Sequence, residues 1–389
     1  MSETKREFEV VVHGATGYTG RLVAAHLLAT YGAHGDLAWA MSGRDIAKLA
    51  QVRDLIGAPA DLPLIAADAF DPKAVTALAL RADVIITTVG PYQLYGEPLL
   101  AACVAEGTDY VDLCGESHWI ATMIARYGAE AARTGARIVF SCGFDSIPFD
   151  LGVFFAQDEA RRRWGMPAPR VRGRVRGLKG GLSGGTMASG MTTMAAAQKD
   201  PSIGAVLANP FALTPGFQGP AQPDGETAYQ DDVAGGWASP FMMAGINTKA
   251  VHRSNFLLHH PWGRDFAYDE MMLSAAAPTA TDVPGGFAFD PTIKPGDGPT
   301  AEERETGWYD LLFVAEAADG RTVRASVRGD KDPGYGSTAK MLGESAVCLA
   351  RDVSRAMTPG GAWTSASAMG APLIARLQAR AGLTFTVES

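Results

Sequence analysis

The chain of 389 residues is poor in cysteine, has no long apolar run and carries no excess of basic charge. Its four cysteines show neither a C-x-x-C pair nor a spacing with histidine that is typical of metal sites, so we expect free thiols in a cytoplasmic protein and no metal. No apolar stretch approaches the roughly 20 residues that span a bilayer, and the polar start predicts no signal peptide before the first strand. The net charge of -8 argues against general affinity for nucleic acid. The apolar fraction of 47% and the length predict a soluble globular protein with room for two domains.

A glycine-rich turn that directly follows an apolar strand is the strongest positive signal. Val10 to Val12 predict a short buried strand, and helical apolar spacing begins at Leu22. Strand, glycine-rich turn and helix in this order are what a dinucleotide-binding βαβ unit requires, since the helix N-terminus offers free N–H groups to phosphates. The spacing is G-x-x-G-x-x-G, a variant common among NADP-using reductases; the alternative is a structural turn in another α/β protein. The predicted cofactor contacts in this turn are Gly14, Thr16, Gly17, Tyr18, Thr19 and Gly20.

The end of the second predicted strand, residues 37–44, indicates which dinucleotide is bound. An acidic residue there would accept a hydrogen bond from the ribose 2′-hydroxyl of NAD. Here the strand ends in Ser42, Gly43 and Arg44, and a guanidinium beside a hydroxyl suits a 2′-phosphate. We therefore predict NADP(H), with Asp45 as the N-cap of a helix over Ile46–Leu55. The alternative is that Arg44 is a solvated surface charge.

Further candidate site residues follow the later predicted strands of the same sheet. In a doubly wound sheet the carboxyl ends of the strands face the cofactor. The remaining predicted cofactor contacts are Asp68, at the adenine, then Val89, Gly90 and Pro91 along the dinucleotide, and Cys114 and Gly115. The candidate catalytic residues are Tyr92, Glu116 and Asp145, with Tyr92 as the proton donor and structural roles equally open for the two acids. No Tyr-x-x-x-Lys pair follows the fourth strand, which argues against a short-chain dehydrogenase.

Four segments that occur in order carry a resemblance to a known family. They are residues 14–20 (GATGYTG), 89–92 (VGPY), 110–116 (YVDLCGE) and 143–148 (GFDSIP), and the likeness continues through 332–336 (DPGYG). Together they resemble the saccharopine dehydrogenase-like family, in particular its trans-acting enoyl reductase branch. The resemblance covers most of the chain. It implies an NADP-dependent oxidoreductase of lipid metabolism and is less specific for the substrate, because relatives also include amino-acid imine reductases.

The predicted fold is an α/β protein with a Rossmann-type doubly wound parallel sheet and an inserted α+β domain on an antiparallel sheet. The predicted divisions are a cofactor domain over 1–150, a substrate or oligomerisation domain over 151–330 and a tail over 331–389. By the resemblance, the helices and strand of the tail return to the cofactor domain. Strands of the inserted sheet are predicted at Val251–Leu258, Phe266–Leu273, Trp308–Ala315 and Thr322–Val327, with an exposed loop or lid over Ala275–Glu302 and a last strand at Leu383–Val387.

Three patterns in the second half are open to two interpretations each. Arg170, Arg172, Arg174 and Arg176 alternate, which places them on one face of a strand. That face is either solvated or a docking face for an acidic partner such as an acyl carrier protein or a phospholipid surface. The loop over residues 180–186 opens a helix and is either structural or a holder of a carboxylate, thioester oxygen or phosphate. Met187, Met191 and Met194 belong either to the core or to an adaptable apolar pocket.

Three functions are compatible with these observations. The leading one is an NADPH-dependent enoyl reductase that acts on an unsaturated acyl or lipid chain, free or on an acyl carrier. The second is a saccharopine-type reductase of an imine between an amino acid and a keto acid, which needs several inward arginines for carboxylates. The third is a non-catalytic NADPH-binding sensor, in which Tyr92→Phe would leave chemistry unaffected. The resemblance further implies a homodimer, and contact with the inner face of the membrane stays open.

Overall fold

The computed structural model describes residues 6–279, 294 and 296–389. Its strands are β1 (Phe8–His13), β2 (Trp39–Gly43), β3 (Leu64–Ala66), β4 (Ala82–Thr87), β5 (Asp109–Val111), β6 (Arg137–Val139), β7 (Arg170–Lys179), β8 (Tyr229–Asp231), β9 (Gly236–Pro240), β10 (Ala267–Ser274), β11 (Trp308–Glu316), β12 (Thr322–Gly329), β13 (Gly361–Trp363) and β14 (Leu383–Glu388). Its helices are α1 (Tyr18–Tyr31), α2 (Ile46–Leu55), α3 (Pro72–Ala79), α4 (Tyr92–Tyr95), α5 (Glu97–Glu106), α6 (Ser117–Thr134), α7 (Ile147–Trp164), α8 (Gly184–Lys199), α9 (Pro201–Ala208), α10 (Ala244–Leu257), α11 (Ala301–Thr306), α12 (Thr338–Arg351) and α13 (Ser365–Arg380). The predicted lid over Ala275–Glu302 lies largely outside the described residues.

The first sheet is parallel throughout, in the order β13-β6-β5-β4-β1-β2-β3. Its central strands are near-continuous apolar runs, such as Val10–Val12, because helices cover both faces. His13 is in register with Ser42 on one side and with Thr87 on the other, so three strands end at one edge. The predicted doubly wound sheet is confirmed, and its carboxyl edge is where the candidate residues converge.

The second sheet has the order β14-β12-β11-β7-β10-β9-β8. All its pairings are antiparallel except that of β7 with β10. The tail divides between the sheets, since β13 pairs with β6 whereas β14 pairs with β12. The last strand therefore differs from the prediction that it returns to the cofactor domain. It pairs with β12 of the second sheet, in a register that runs from Arg324 opposite Glu388 to Gly329 opposite Leu383.

One predicted strand is wrong, because residues 244–257 form the helix α10. Its stretch from Lys249 to Asn255 is buried throughout, and five of those seven side chains are polar or charged. Lys249 Nζ donates to the carbonyls of Leu207 and Gly245, at 2.7 and 2.6 Å. Polar groups that satisfy backbone carbonyls inside the protein erase the usual helical alternation of apolar and polar faces. The periodicity therefore carried no helix signal.

Both interpretations of the arginine strand β7 are also wrong. Arg174 is buried and pairs with Asp231 and Asp269, at 2.8 and 2.7 Å. Arg172 pairs with Glu316 at 3.0 Å, and Arg176 with Asp310 at 2.6 Å. Arg176 also pairs with Glu388 of β14, at 2.7 Å. The acids therefore come from strands β8, β10, β11 and β14, which no local pattern connects with β7. The row is a neutralised network inside the second sheet, so its positive charge is not presented to an acidic partner.

No helix in the described part of the chain is long and apolar enough to cross a membrane. The four cysteines are all free and buried, as predicted for their thiol state.

Candidate NADP site and catalytic crevice

The glycine-rich turn after β1 has a geometry that only glycine allows at two positions. Gly14 has a φ of +84°, and a methyl group there would lie 2.8 Å from both Thr88 Oγ1 and Val89 Cγ2. At Gly20 a methyl group would lie 2.2 Å from the Gly14 carbonyl oxygen, so α1 can pack close to the turn only without a side chain there. Gly17 is exposed, with only the Gly14 carbonyl oxygen near its missing side chain, at 3.3 Å. The turn is thus closed on the protein side and open on the outer side.

The start of α1 offers unpaired amides to a phosphate. Gly17 is the N-cap and forms no side-chain capping bond, while its own N–H donates to the Gly14 carbonyl at 2.9 Å. The first turn of a helix has N–H groups without intrahelical partners and the positive end of the helix dipole. These features fit the pyrophosphate of a dinucleotide, which the amides of Tyr18 and Thr19 would hold, with Thr16 and Gly17 exposed beside them.

The end of β2 fits a 2′-phosphate through Arg44 and not through the Ser42 side chain. Arg44 is exposed, and no described carboxylate forms an ion pair with it. Asp45 caps α2 as predicted and accepts from the amides of Ala47 and Lys48, at 3.0 and 3.1 Å. Ser42 is buried, with Oγ 3.1 Å from His13 Nδ1, and its carbonyl accepts from Gly14 N at 2.9 Å. Ser42 therefore supports the glycine-rich turn through its backbone carbonyl. Contrary to the prediction, its buried side chain does not lie beside the 2′-phosphate position.

The other predicted cofactor contacts line the same edge of the sheet. Asp68 is exposed after β3 and accepts from Phe70 N at 3.0 Å. Val89, Gly90 and Pro91 follow β4; Gly90 is exposed and the other two are half-buried. Their exposure leaves them able to contact the dinucleotide, and these assignments stay predictions.

Tyr92, the predicted proton donor, points into the protein. Its hydroxyl donates to the Thr87 carbonyl at 3.0 Å and lies 3.4 Å from the amide nitrogen of Leu113. The side chain is buried, and burial raises the pKa of Tyr92 well above its usual value. A phenol held this way by two backbone groups fixes the ends of two strands, so the geometry favours a structural role for Tyr92.

Glu116 joins the two halves of the crevice. One carboxylate oxygen accepts from Tyr92 N at 2.8 Å and from Ser189 Oγ at 2.9 Å, and the other accepts from Gln93 N at 2.8 Å. It therefore links the start of α4 to α8, and both of its oxygens accept hydrogen bonds within the protein. Among the two outcomes left open for this residue, the contacts favour the structural one.

Asp112 builds the loop that carries the next candidates. Its carboxylate accepts from the amides of Cys114 and Ser141, at 3.0 and 2.8 Å. Cys114 is buried, and burial raises the pKa of its thiol well above its usual value, which leaves an inert thiol. Gly115 beside it is half-buried, and a methyl group there would lie 3.2 Å from Ile246 Cδ1 and 3.9 Å from Asp145 Oδ2. Gly115 therefore lies close to Ile246 of α10 and to the Asp145 carboxyl.

Asp145 is the candidate acid that the structure leaves free. No described residue forms a hydrogen bond with its carboxyl, and the residue is partly exposed. Burial raises the pKa of Asp145 to about 6. Ser146 Oγ instead donates to the Asp145 carbonyl, which leaves the carboxyl for another partner. A carboxyl with a pKa near neutrality and no internal partner is suited to proton transfer.

Two groups near Asp145 were missed by sequence reasoning. Glu270 on β10 is buried, accepts from Asn247 Nδ2 at 2.6 Å and from Tyr268 Oη at 2.9 Å, and interacts electrostatically with Asp145. Burial raises the pKa of Glu270 to about 8. Tyr335 accepts from Ser183 N and shares a hydrogen with Thr186 Oγ1, both at 2.6 Å. These residues and their partners come from four separated segments of the chain. Of the two groups, only Tyr335 lies in a motif that the sequence analysis singled out, residues 332–336.

The helix α8 begins at this crevice. Ser183 is its N-cap, with Oγ accepting from Thr186 N at 3.4 Å, so the predicted helix after the second glycine-rich loop is confirmed. Met187 is buried, whereas Met191 and Met194 are 67% and 61% exposed, so the core interpretation is wrong for those two. Met191 and Met194 therefore form an exposed apolar side of α8, whose first turn adjoins the site.

A segment that follows the gap in the described residues packs on the start of α1. We call residues 296–306 the clasp. Tyr18 donates from its hydroxyl to the Pro299 carbonyl and accepts from Arg304 Nη1 at 2.8 Å. Its ring meets that of Tyr335 edge to face, with centroids 5.1 Å apart. Tyr18 thereby connects the glycine-rich turn with the 332–336 segment, which carries Tyr335.

Comparison with known proteins agrees with this geometry. The family model of the saccharopine dehydrogenase NADP binding domain matches residues 10–139. Relatives covering 97% of each chain include a Mycobacterium ulcerans trans-acting enoyl reductase, 38% identical over 410 residues, and a Mycobacterium tuberculosis protein provisionally given that name, 39% identical over 411 residues. Among solved structures, apo saccharopine dehydrogenase (L-Glu forming) from Saccharomyces cerevisiae matches with a TM-score of 0.55 and 14% identity, over 98% of this chain and 100% of the other.

The sheet, the turn and the family model together define an NADP-dependent oxidoreductase. At 38–39% identity over nearly the whole length, the chain belongs to the trans-acting enoyl reductase family, which is saccharopine dehydrogenase-like.

Proposed function

We propose that the protein is an NADPH-dependent enoyl reductase that saturates the α,β double bond of an acyl thioester. The family relationship supports the reaction class, since curated relatives carry this name. The observation that carries the proposal is Asp145, whose carboxyl has no hydrogen-bond partner among the described residues and a pKa raised by burial to about 6. Reduction of an enoyl thioester needs one proton for every hydride, and a carboxyl with these properties is suited to supply it.

The chain's own residues divide the remaining work. The chemistry that NADPH would supply when bound is a hydride for the β-carbon of the substrate. Asp145 protonates the α-carbon, so that one C–H bond forms at each end of the former double bond. The hydroxyls of Thr186 and Tyr335 share one hydrogen bond, which leaves one of the two a hydrogen to donate to the thioester oxygen. Burial raises the pKa of Tyr335 to about 12, which keeps it neutral. The turn at Gly17 and the side chain of Arg44 hold and orient the cofactor.

An imine reductase for amino acids is the second candidate, and the charges argue against it. Such a substrate carries two or more carboxylates, which need free cations in the pocket. The arginines of β7 are neutralised by acids of the second sheet. Lys249 and Arg253 are buried and donate hydrogen bonds to backbone carbonyls, including those of Leu207 and Ala362 respectively. The crevice around Asp145 is acidic and hydroxyl-lined instead.

The deciding experiment is NADPH oxidation by purified protein with unsaturated acyl thioesters, beside lysine plus 2-oxoglutarate. We expect turnover with thioesters, a preference for NADPH over NADH and no turnover with the amino-acid pair. Turnover with the amino-acid pair would refute the proposal. NADPH binding without turnover in either set, across free and carrier-bound thioesters of several chain lengths, would favour the sensor.

The expected acyl carrier, homodimer and membrane contact stay predictions. Comparison of coenzyme A thioesters with carrier-bound thioesters tests the acyl carrier. The arginines of β7 no longer support a carrier, because acids of the second sheet neutralise them. Sedimentation velocity at micromolar concentration tests the homodimer, and vesicle flotation tests the membrane contact.

A further inference from the structure

We propose that Arg304 of the clasp is a cofactor-binding residue, which supplies a cation to the pyrophosphate of NADP(H) from outside the parallel sheet. The inference rests on the NADP(H) site and not on the substrate proposed above. It adds a binding residue that lies nearly 300 positions after the glycine-rich turn, as the sequence separation of 286 between Tyr18 and Arg304 records.

The contacts place the Arg304 guanidinium at the start of α1. Nη1 donates to Tyr18 Oη at 2.8 Å and to the Pro299 carbonyl at 2.6 Å, and the guanidinium carbon lies 5.7 Å from the centre of the Tyr18 ring. Tyr18 is the first residue of α1, next to Gly17. The anchored nitrogen is Nη1, so Nε and Nη2 have no partner among the described residues.

No described carboxylate lies within ion-pair distance of the Arg304 guanidinium. Asp332 and Glu305 interact with its charge only at longer range, and Glu305 pairs with Lys331. Arg21 approaches the same Tyr18 ring to 4.9 Å and likewise has no carboxylate partner in the described ranges. Two guanidinium groups therefore flank one ring at the positive end of a helix dipole, in a protein of net charge -8. Like charges gathered in this way are stabilised by a bound anion, and the pyrophosphate is the anion that this site takes.

The clasp is held in place by backbone contacts that do not use the Arg304 side chain. Gly184 N donates to the Asp297 carbonyl at 3.2 Å, and Asp332 N donates to the Arg304 carbonyl at 3.0 Å. Thr300 and Glu303 form a capping box at the start of α11. Replacement of the Arg304 side chain therefore leaves most of the clasp's attachments, so that an effect on ligand binding can be separated from unfolding.

The test compares ligands that share or lack the pyrophosphate. Affinities for NADPH, NADH and adenosine 2′-monophosphate are measured by nucleotide fluorescence or competition for wild type, Arg304→Gln, Arg304→Lys and Arg44→Gln. We expect Arg304→Gln to weaken NADPH and NADH by the same factor, about tenfold, and to change adenosine 2′-monophosphate less than twofold, since charge-assisted bonds to phosphate are among the stronger ones. Arg304→Lys should recover part of the loss. Arg44→Gln should weaken NADPH and adenosine 2′-monophosphate and spare NADH.

Arg321→Gln is the matched control, because Arg321 is exposed and pairs with its neighbour Asp319. NADPH affinity within twofold of wild type in Arg304→Gln would overturn the proposal. An equal loss for all three ligands would also overturn it, because that pattern indicates a disturbed domain. Melting temperatures of the variants without nucleotide complete the test: a purely structural clasp would lower stability and leave the NADPH and NADH affinities unchanged.

Discussion

The second sheet and the cofactor edge of the first sheet each gather positive charge, and they treat it in opposite ways. On β7, Arg172 and Arg174 are enclosed by acids from other strands of the same sheet. At the cofactor edge, Arg44 and Arg304 have no carboxylate partner within the described residues. Desolvated cations without partners are costly, so the fold supplies acids to the arginines that β7 buries. We propose that Arg44 and Arg304, which have no such acids, meet the anionic cofactor instead.

The same contrast holds for the carboxylates of the crevice. Glu116 accepts three hydrogen bonds from Tyr92, Gln93 and Ser189, whereas Asp145 accepts none from the described chain. Full internal engagement indicates a structural group, and a free group at an opening indicates one that meets substrate or cofactor. The predictions below test this division, beginning with the largest expected effect.

Breaking the buried network of β7 should cost the most stability. Arg174→Met leaves Asp231 and Asp269 without their main counter-ion, so we expect a loss of about 3 kcal/mol in the free energy of unfolding. Urea denaturation measures this loss. The affinity of the remaining folded protein for NADPH should stay within twofold of wild type, and a selective loss of affinity would contradict the structural assignment.

Asp145→Asn should lower kcat about 100-fold, equivalent to about 2.7 kcal/mol, because a general acid contributes on this order. NADPH affinity should not change. In the wild type, kcat/KM should fall as pH rises through the folded pKa of about 6, since the protonated form is the donor. Rates with an unsaturated thioester measured across pH 5–9, a range of roughly two units either side of neutrality, check this.

The same variant should be more stable than wild type at alkaline pH. The folded pKa of Asp145 lies above the usual 3.8, so the folded state holds the proton more tightly and stability falls as pH rises between about 4 and 6. Asparagine removes that charge, and we expect a gain of about 1 kcal/mol at pH 8 after allowance for partial exposure. Thermal melts of both proteins at roughly pH 4 and pH 8, below and above the titration, measure the difference. A stability difference between variant and wild type that is the same at both pH values would argue against a raised pKa.

Arg44→Gln should reduce the preference for NADPH over NADH about tenfold, or about 1.4 kcal/mol, through the KM for NADPH. Steady-state kinetics with both nucleotides measure it. Arg133→Gln is the matched exposed change: Arg133 pairs with Glu130 one helical turn away, and we expect less than about 0.5 kcal/mol in stability and no change in either KM.

Sequence patterns predicted the parts of the molecule whose signals are local. The turn from Gly14 to Gly20, the cap at Asp45 and the strand-end position of Asp145 all lie within a few residues of their structural cause. Helix α10 was predicted as a strand because it buries Lys249 and Arg253, which donate to the carbonyls of the distant residues Leu207 and Ala362. Glu270 and Arg304 were not predicted as site residues because the residues that they contact are far away in the sequence. Tyr92 was misjudged because strand-end position says nothing about which way a side chain turns.

The division of strands β13 and β14 between the two sheets also has a consequence for synthesis on the ribosome. Strand β6 of the first sheet has no partner on its outer side until β13 is made and Gly361 can pair with Arg137. Strand β12 of the second sheet likewise has none until β14 is made and Leu383 can pair with Gly329. Both edges stay uncovered while the intervening residues are translated, and unpaired edges invite association with other chains. We therefore expect nascent chains that stop before residue 361 to need chaperones, and release from them to coincide with translation of the last strands.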